Sequence, residues 1–303
     1  MSGARPVRLL RMATLRFSQV DAFTARPFFG NPVAVVLGAD ALSSDAMQRI
    51  AAWTNLSETT FVLAPTISGP AYRLRIFTPT HELPFAGHPT IGSCHAVVEA
   101  GIVTPEGGRL VQQCAAGDLP LRIVEEAGQR WIYVEAPEAA FVAELPELAP
   151  AISAALGTAI AGPVPTVFRN GPSWLFARLA REAEVAALAP DLAAVAALSL
   201  EHGVSGIAAF SFVDAGEFAV HIRCFAPAHG VPEDPVTGSA NAALPAYLAH
   251  HGMLERVGKE YLSTQGTERG RDGRVRVRVL DARGRAEIGG RAVTVVAGTV
   301  RLD

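Results

Sequence analysis

The chain predicts an α+β fold of two similar units, each a mixed sheet wrapped around one helix. Three observations predict it. The segment RIFTPTHELP, Arg75 to Pro84, returns without a gap 148 residues later as RCFAPAHGVP, Arg223 to Pro232. Each copy reads as a strand running into a Pro-containing loop, then a helix that opens on small residues, AGHPTIGSCHAVVEAG and EDPVTGSANAALPAYLAHHG. The chain has 303 residues, half of them apolar, which is long for one core and natural for two bodies of about 150 residues.

The elements follow from period and punctuation. Phe17 to Phe23 reads as a strand that ends near the turn Gly30-Asn31-Pro32, and Val33 to Leu37 is a short β-branched run. Ser43 or Ser44 caps a helix through Trp53 with Ala46, Met47, Ile50 and Ala51 on one face, and the chain turns at Asn55. Strands are expected at Thr59 to Leu63 and Tyr72 to Phe77, then a helix at Pro89 to Ala100 with proline in its first turn. Leu110 to Cys114, Leu119 to Val124 and Trp131 to Glu135 close the first unit. The acid- and Pro-punctuated stretch Ala136 to Pro150 reads as a linker, followed by a helix near Ala151 to Leu156.

The second half repeats the alternation. Strands are expected at Pro163 to Phe168, Trp174 to Leu179, Gly206 to Val213 and Phe218 to Phe225, with Ala-rich helices at Glu182 to Leu188 and Leu192 to Leu200. A helix from Thr237 to His250 contains Pro245, expected to kink or restart it because proline removes a backbone donor. The tail is β: Tyr261 to Thr264, Val275 to Leu280, Ala286 to Ile288 and Ala292 to Leu302, with Ala282-Arg283-Gly284 as a hairpin turn. The expected division is a leader at 1–16, disordered; an N-terminal domain at 17–136; a C-terminal domain at 137–291; and a last strand at 292–303.

Composition narrows the function classes. A net charge of −3 without a Lys/Arg block disfavours a nucleic-acid surface. Cys94, Cys114 and Cys224 form no CxxC pair, against a disulfide framework or structural zinc, so a cytoplasmic protein is expected. No apolar run approaches the roughly 18 to 20 residues of a membrane span. Arg5, Arg8, Arg11 and Arg16 give the leader a transit-peptide flavour without a secretory h-region, and Met12 is an alternative start. No nucleotide fingerprint, GxGxxG or GxxxxGK[ST], stands in a strand-to-helix context.

Four places can carry chemistry. In Asn55-Leu56-Ser57-Glu58-Thr59-Thr60 a carboxylate enters a strand; in a dry pocket it titrates high and serves as acid or base, and on an open edge it is merely solvated. In Ala86-Gly87-His88-Pro89-Thr90 a glycine admits close backbone approach and His88 either donates to a substrate or caps the helix. In Glu233-Asp234-Pro235-Val236-Thr237-Gly238-Ser239-Ala240, Asp234 is an N-cap or, set opposite the first copy's Ala86 at the 148-residue offset, part of a shared cleft. In Gln265 to Asp272 an arginine among glycines either binds a carboxylate or lies in a solvated turn. His81 and His229, the two copies of one repeat position, read as loop-packing residues; no third ligand is suitably spaced, so no metal is expected.

The ordered set VDAFT (Val20 to Thr24), FGNPVAVV (Phe29 to Val36), NLSETTFV (Asn55 to Val62), ELPFAGHPT (Glu82 to Thr90) and FAPAHGVPEDPVTGSAN (Phe225 to Asn241) resembles the phenazine biosynthesis PhzF-like family. The resemblance runs from about Phe17 to Leu302. It implies the diaminopimelate epimerase-like fold, two barrel-like sheets each around a central helix, the active site between them and the last strand crossing back to the first domain. By motif matching it implies Glu58 as the catalytic acid/base, with His88 and Asp234 beside it, and Ser57, Gly87, Gly238 and Ser239 lining the substrate. The implied reaction is a cofactor-independent isomerisation of a small, conjugated carboxylate, in the best-understood members a cyclic dihydro-hydroxyanthranilate, and the implied assembly is a homodimer. Relatives on the same fold that racemise carry paired cysteines at these helix starts, where this chain has Ala86-Gly87-His88 and Asp234. An epimerase or racemase of an amino-acid derivative, and a non-catalytic binder of the same fold, are the alternatives. One departure is Gly270-Arg271-Asp272, where the family has a GRP loop.

Overall fold

The computed structural model describes residues 13–302. The first half comprises β1 (Ala13–Ala22), β2 (Asn31–Leu37), α1 (Ser44–Thr54), β3 (Thr59–Leu63), β4 (Tyr72–Phe77), β5 (Glu82–Leu83), α2 (Gly87–Glu99), β6 (Arg109–Cys114), β7 (Gly117–Glu126) and β8 (Gln129–Glu135). Hydrogen bonding runs β1-β2-β3-β4-β6-β7-β8, with β2–β3 and β4–β6 parallel and the rest antiparallel. The second half comprises β9 (Ala140–Glu144), α3 (Ala149–Leu156), β10 (Thr166–Arg169), β11 (Ser173–Arg178), α4 (Glu182–Ala186), α5 (Leu192–Glu201), β12 (Gly206–Phe212), β13 (Val220–Ala226), β14 (Val231–Asp234), α6 (Gly238–His250), β15 (Glu260–Gln265), β16 (Gly273–Val279), β17 (Ala286–Gly290) and β18 (Ala292–Leu302). Its order β10-β11-β12-β13-β15-β16-β17 repeats the same pattern, parallel at β11–β12 and β13–β15.

The halves exchange strands. β9 follows β8 but pairs with β10 of the second sheet, and β18 follows β17 but pairs antiparallel with β1. β8 and β17 pair directly, so the two sheets are continuous. The stretch read as a linker therefore holds β9 and a short 3-10 turn at Pro146–Leu148. Its prolines and acids masked a strand whose register is set by distant β10. The leader also needs correction. Residues 13–16 belong to β1, paired with both β18 and β2 from Arg16 onward, whereas residues 1–12 lie outside the described part.

Each sheet wraps a helix that is buried nearly all round, α2 in the first half and α6 in the second. Small residues make this possible: a side chain on Gly92 would run into Val33, 2.4 Å from where its Cβ would sit. Helix α6 runs uninterrupted through Pro245, so the proline does not restart it. Proline inside a helix costs about 3 kcal/mol. Its neighbours Leu244, Tyr247 and Leu248 are fully buried and contribute roughly 2 kcal/mol apiece, which outweighs the lost hydrogen bond.

The echoed segment builds the same device twice. Arg75 on β4 forks onto Glu82 at 2.7 and 2.6 Å, and Arg223 on β13 forks onto Glu233 at 2.8 and 2.9 Å. Each guanidinium also lies over the Phe two residues on, Phe77 or Phe225. In both halves the pair ties the long strand to the short one that leads into the central helix. The copies differ in burial: Arg75 is partly open, while Arg223 is closed in and also donates to the carbonyls of Val185 and Leu188 at the end of α4, with that of Ala186 in contact at 3.4 Å.

Candidate active site

The N-termini of α2 and α6 meet head to head at Gly87 and Gly238. A Cβ on Gly238 would sit 3.3 Å from the Gly87 Cα, so only glycine allows this approach without displacement. Neither helix has a side-chain cap: the N-cap residues are Ala86 and Thr237, and neither hydroxyl nor amide folds back onto the first turn. Two positive helix ends with unclaimed amides thus face one cleft, an arrangement suited to a carboxylate or a developing oxyanion. The structural equivalence is Ala86 with Thr237 and Gly87 with Gly238, an offset of 151 rather than 148, because the second loop is three residues longer. Asp234 therefore precedes the helix start instead of matching Ala86.

Glu58 reaches the cleft through the end of α1. Asn55 closes that helix in the left-handed region at φ 55°, and the turn aims Glu58 toward α2, with the Ser57 side chain beside it, before β3 begins at Thr59. The backbone carbonyl of Glu58 accepts from Ala34 N, which anchors it to β2. Its Oε2 lies 3.2 Å from His88 Nε2, with the Glu58 side chain 15% and the His88 side chain 7% exposed. The two atoms are close but not aligned as a hydrogen bond, and among the described residues neither has another partner. We therefore read this as a contact between two groups available to a substrate, not as a closed ion pair.

Asn31, at the start of β2, joins the two halves. Its amide donates to Asp234 Oδ1 and to the Val236 carbonyl, both at 2.9 Å, which uses both hydrogens; His88 Nδ1 at 3.4 Å is then a contact rather than a third bond. Thr237 Oγ1 donates to Asp234 Oδ2 at 2.7 Å. Gln265 at the end of β15 completes the cage, donating to the Asp234 carbonyl and Thr237 Oγ1 and accepting from Thr237 N. Ser239 accepts from Trp174 Nε1 at 2.9 Å through its hydroxyl and from Asn170 through its carbonyl.

Burial governs the titration of these groups. It pushes Glu58 up to about 7, the neighbouring Ser57 hydroxyl partly opposing. Burial drives His88 down to about 4 against the pull of Asp234, so its imidazole is neutral at physiological pH. It raises Asp234 to about 6, with His88 opposing and the Glu58 carboxylate adding to the rise. A carboxyl near 7 beside a neutral imidazole can both take and return a proton.

The structure thus brings together Glu58, Ser57, His88, Gly87, Asp234, Gly238 and Ser239. Asn31, Trp174 and Gln265 were missed as site residues. Asn31 had a signal, since it stands in the FGNPVAVV motif, and Gln265 opens the Gln265 to Asp272 segment, where attention fell on the arginine instead; Trp174 had none, because its partner Ser239 lies 65 residues away and only folding brings them close. The Gly270-Arg271-Asp272 loop does not offer its arginine to the cleft. Arg271 donates to the Phe28 carbonyl at 2.9 Å and Asp272 N to that of Phe29, so the loop buttresses the turn between β1 and β2. His81 is held by Thr78 and Thr80 within its own turn.

The family model described as Phenazine biosynthesis-like protein, PhzC-PhzF, matches residues 20–298. The chain belongs to the PhzF family. Antisense-enhancing sequence 1 of Schizosaccharomyces pombe is 38% identical over 290 residues, covering 93% of this chain and 97% of its own. The trans-2,3-dihydro-3-hydroxyanthranilate isomerase of Pseudomonas aeruginosa is 36% identical over 301 residues, covering 95% and 99%. Among solved structures, the Bacillus anthracis phenazine biosynthesis protein of the PhzF family aligns with a TM-score of 0.82 at 28% identity, covering 96% of this chain and all of that one. A probable proline racemase from Agrobacterium radiobacter aligns at a TM-score of 0.66 with 14% identity, covering 95% of this chain and 93% of that one; it shares the fold. The expected epimerase-like α+β fold and PhzF membership both hold. Among the described residues no helix is long and apolar enough to cross a membrane.

Proposed function

We propose that this PhzF-family isomerase moves a proton between two carbons of a small conjugated carboxylate, with Glu58 as the single acid/base, without a cofactor. The observation that carries the reading is the Glu58 carboxyl 3.2 Å from His88, in the first turn of one of the two helix ends that converge on the cleft. The carboxylate of Glu58 takes the proton from a carbon activated by conjugation. The electron pair left behind delocalises toward the substrate's carboxylate, which the amides near Gly87 and Gly238 stabilise. Protonated Glu58 then returns the proton to a second carbon on the same face. Neutral His88 and the Asn31-bridged Asp234 hold substrate polar groups and keep the carboxyl oriented. A dihydro-hydroxyanthranilate, the substrate class in the name of the Pseudomonas relative, has the required conjugated carboxylate.

A two-thiol epimerase fits less well. Cys94 lies in the middle of α2, Cys224 sits on β13 beside Asp234 and Thr237 instead of in the first turn of α6, and burial raises both thiols, Cys94 to about 12. The test is Glu58→Gln assayed for isomerisation of trans-2,3-dihydro-3-hydroxyanthranilate and other conjugated carboxylates, with solvent deuterium incorporation followed by NMR. On a turned-over substrate, loss of 10²-fold to 10⁴-fold in kcat, roughly the worth of a positioned acid/base, is expected. Unchanged turnover would sink the mechanism. Binding without turnover or exchange by the unaltered chain would favour the non-catalytic alternative.

A further inference from the structure

Away from the cleft, at the opposite end of α6, Glu144 on β9 and the consecutive His250 and His251 place three donor atoms within 4.8 Å of one another. We infer that these residues form a binding site for one divalent transition-metal ion of the zinc class, with the remaining coordination position open to solvent. Two imidazoles and a carboxylate are a donor set that zinc, cobalt and nickel favour over calcium or magnesium.

The side chains are held for it. His250 stacks on Phe141 with centroids 4.8 Å apart and meets Phe168 edge-on, and its Nε2 lies 2.9 Å from Glu144 Oε1. Phe141 and Phe168 are cross-strand partners on β9 and β10, as are Glu144 and Thr166, so one strand pair presents both the stacking platform and the carboxylate. His251 packs against Tyr247 at 4.6 Å. Thr166 has a single hydroxyl hydrogen, directed to the Val164 carbonyl at 2.8 Å, so at 2.9 Å from His251 Nε2 it acts as acceptor. That arrangement keeps the ring proton on Nε2 and leaves the Nδ1 lone pair for a metal, the outer-shell support that ligating histidines commonly have. The C-terminal end of α6 adds negative potential. An open groove of about 670 Å³ lined by Phe141, Phe168, His250 and Arg283 borders the His250 side of the cluster.

Binding would displace the proton shared by His250 and Glu144 and fasten β9, the strand by which the chain enters the second sheet, to the helix whose other end forms the cleft. Helix α6 is about 20 Å long, so the ion would act on structure and not on the reacting atoms.

The test is titration of the untagged full chain with Zn²⁺ by calorimetry and with Co²⁺ by visible absorption. One equivalent should bind and raise the melting temperature. Glu144→Gln and His251→Ala should each weaken binding by at least about tenfold and remove the melting shift. Glu144 is exposed, so Glu144→Gln keeps the test valid if a histidine variant fails to fold. Absence of one-equivalent binding would overturn the inference, as would binding unaffected by Glu144→Gln and His251→Ala or abolished by His88→Gln instead.

Discussion

Glu58 and His88 stand 3.2 Å apart at the mouth of α2, and burial drives their proton affinities in opposite directions, the carboxyl up to about 7 and the imidazole down to about 4. An ordinary Glu–His pair would hold a carboxylate against an imidazolium. Here the favoured state near neutrality is an uncharged ring beside a half-ionised acid, which matches one group taking up and releasing a proton within a catalytic cycle.

This inversion has a consequence for stability. Glu58 titrates at 4.5 when unfolded and near 7 when folded, so between those values the folded state holds the extra proton. Its contribution is greatest below 4.5 and is lost as pH rises through 7, by up to about 3 kcal/mol. Asp234, raised to about 6, has the same sign over its lower window; His88, depressed to about 4, has the opposite sign, its contribution lost as pH falls through 4. Glu58→Gln is therefore expected to gain stability over the unaltered chain at pH 8 and to show little difference at pH 4.5. Urea unfolding at the two pH values measures this, and a pH-independent difference would contradict it.

Asn31→Leu should be costly twice over. It leaves Asp234 Oδ1 and the Val236 carbonyl without their donor in a closed site, a loss of roughly 1 to 3 kcal/mol each. It also frees Asp234 from the first half, so turnover should fall even at temperatures where the variant remains folded. Melting curves read beside kcat separate the two effects.

Gly238→Ala tests the meeting of the helices. The added methyl would contact the Gly87 Cα at 3.3 Å, the Ile288 Cδ1 at 3.3 Å and the Phe23 ring at 3.4 Å. Each neighbour must give by a few tenths of an ångström, tolerable for folding but felt where two amide rows converge on one ligand. The expected outcome is a larger loss in kcat/KM than in melting temperature, measured by steady-state kinetics and calorimetry.

The echoed arginines should respond unequally. Arg223→Met leaves Glu233 buried without its counterion and the Leu188 carbonyl just past α4 without its guanidinium donor, at about 3 to 5 kcal/mol. Arg75→Met, at the more open copy, should cost about 1 kcal/mol or less. Denaturant midpoints of the two variants provide the comparison, and equal losses would mean that burial does not distinguish the pairs.

The sequence by itself determined the elements and the chemical inventory. Alternating β-branched runs and Pro, Gly and Ser punctuation act locally, so β3, β4 and β18 are legible to the residue, and the α1 cap is legible to a choice of Ser43 or Ser44, of which the Ser43 hydroxyl accepts from Ala46 N. The motifs also named Glu58, His88 and Asp234 in advance. Tertiary structure decided what these residues face. The strand β9 hidden between prolines, the true alignment of the two helix starts, the Asn31 and Gln265 bonds to Asp234, and the pairing of Glu144 with His250 each join positions far apart in the chain. Polar partnerships of that kind carry no local period. They exist only once the exchanged strands have brought the two helix ends into one cleft and burial has changed the charge each group prefers.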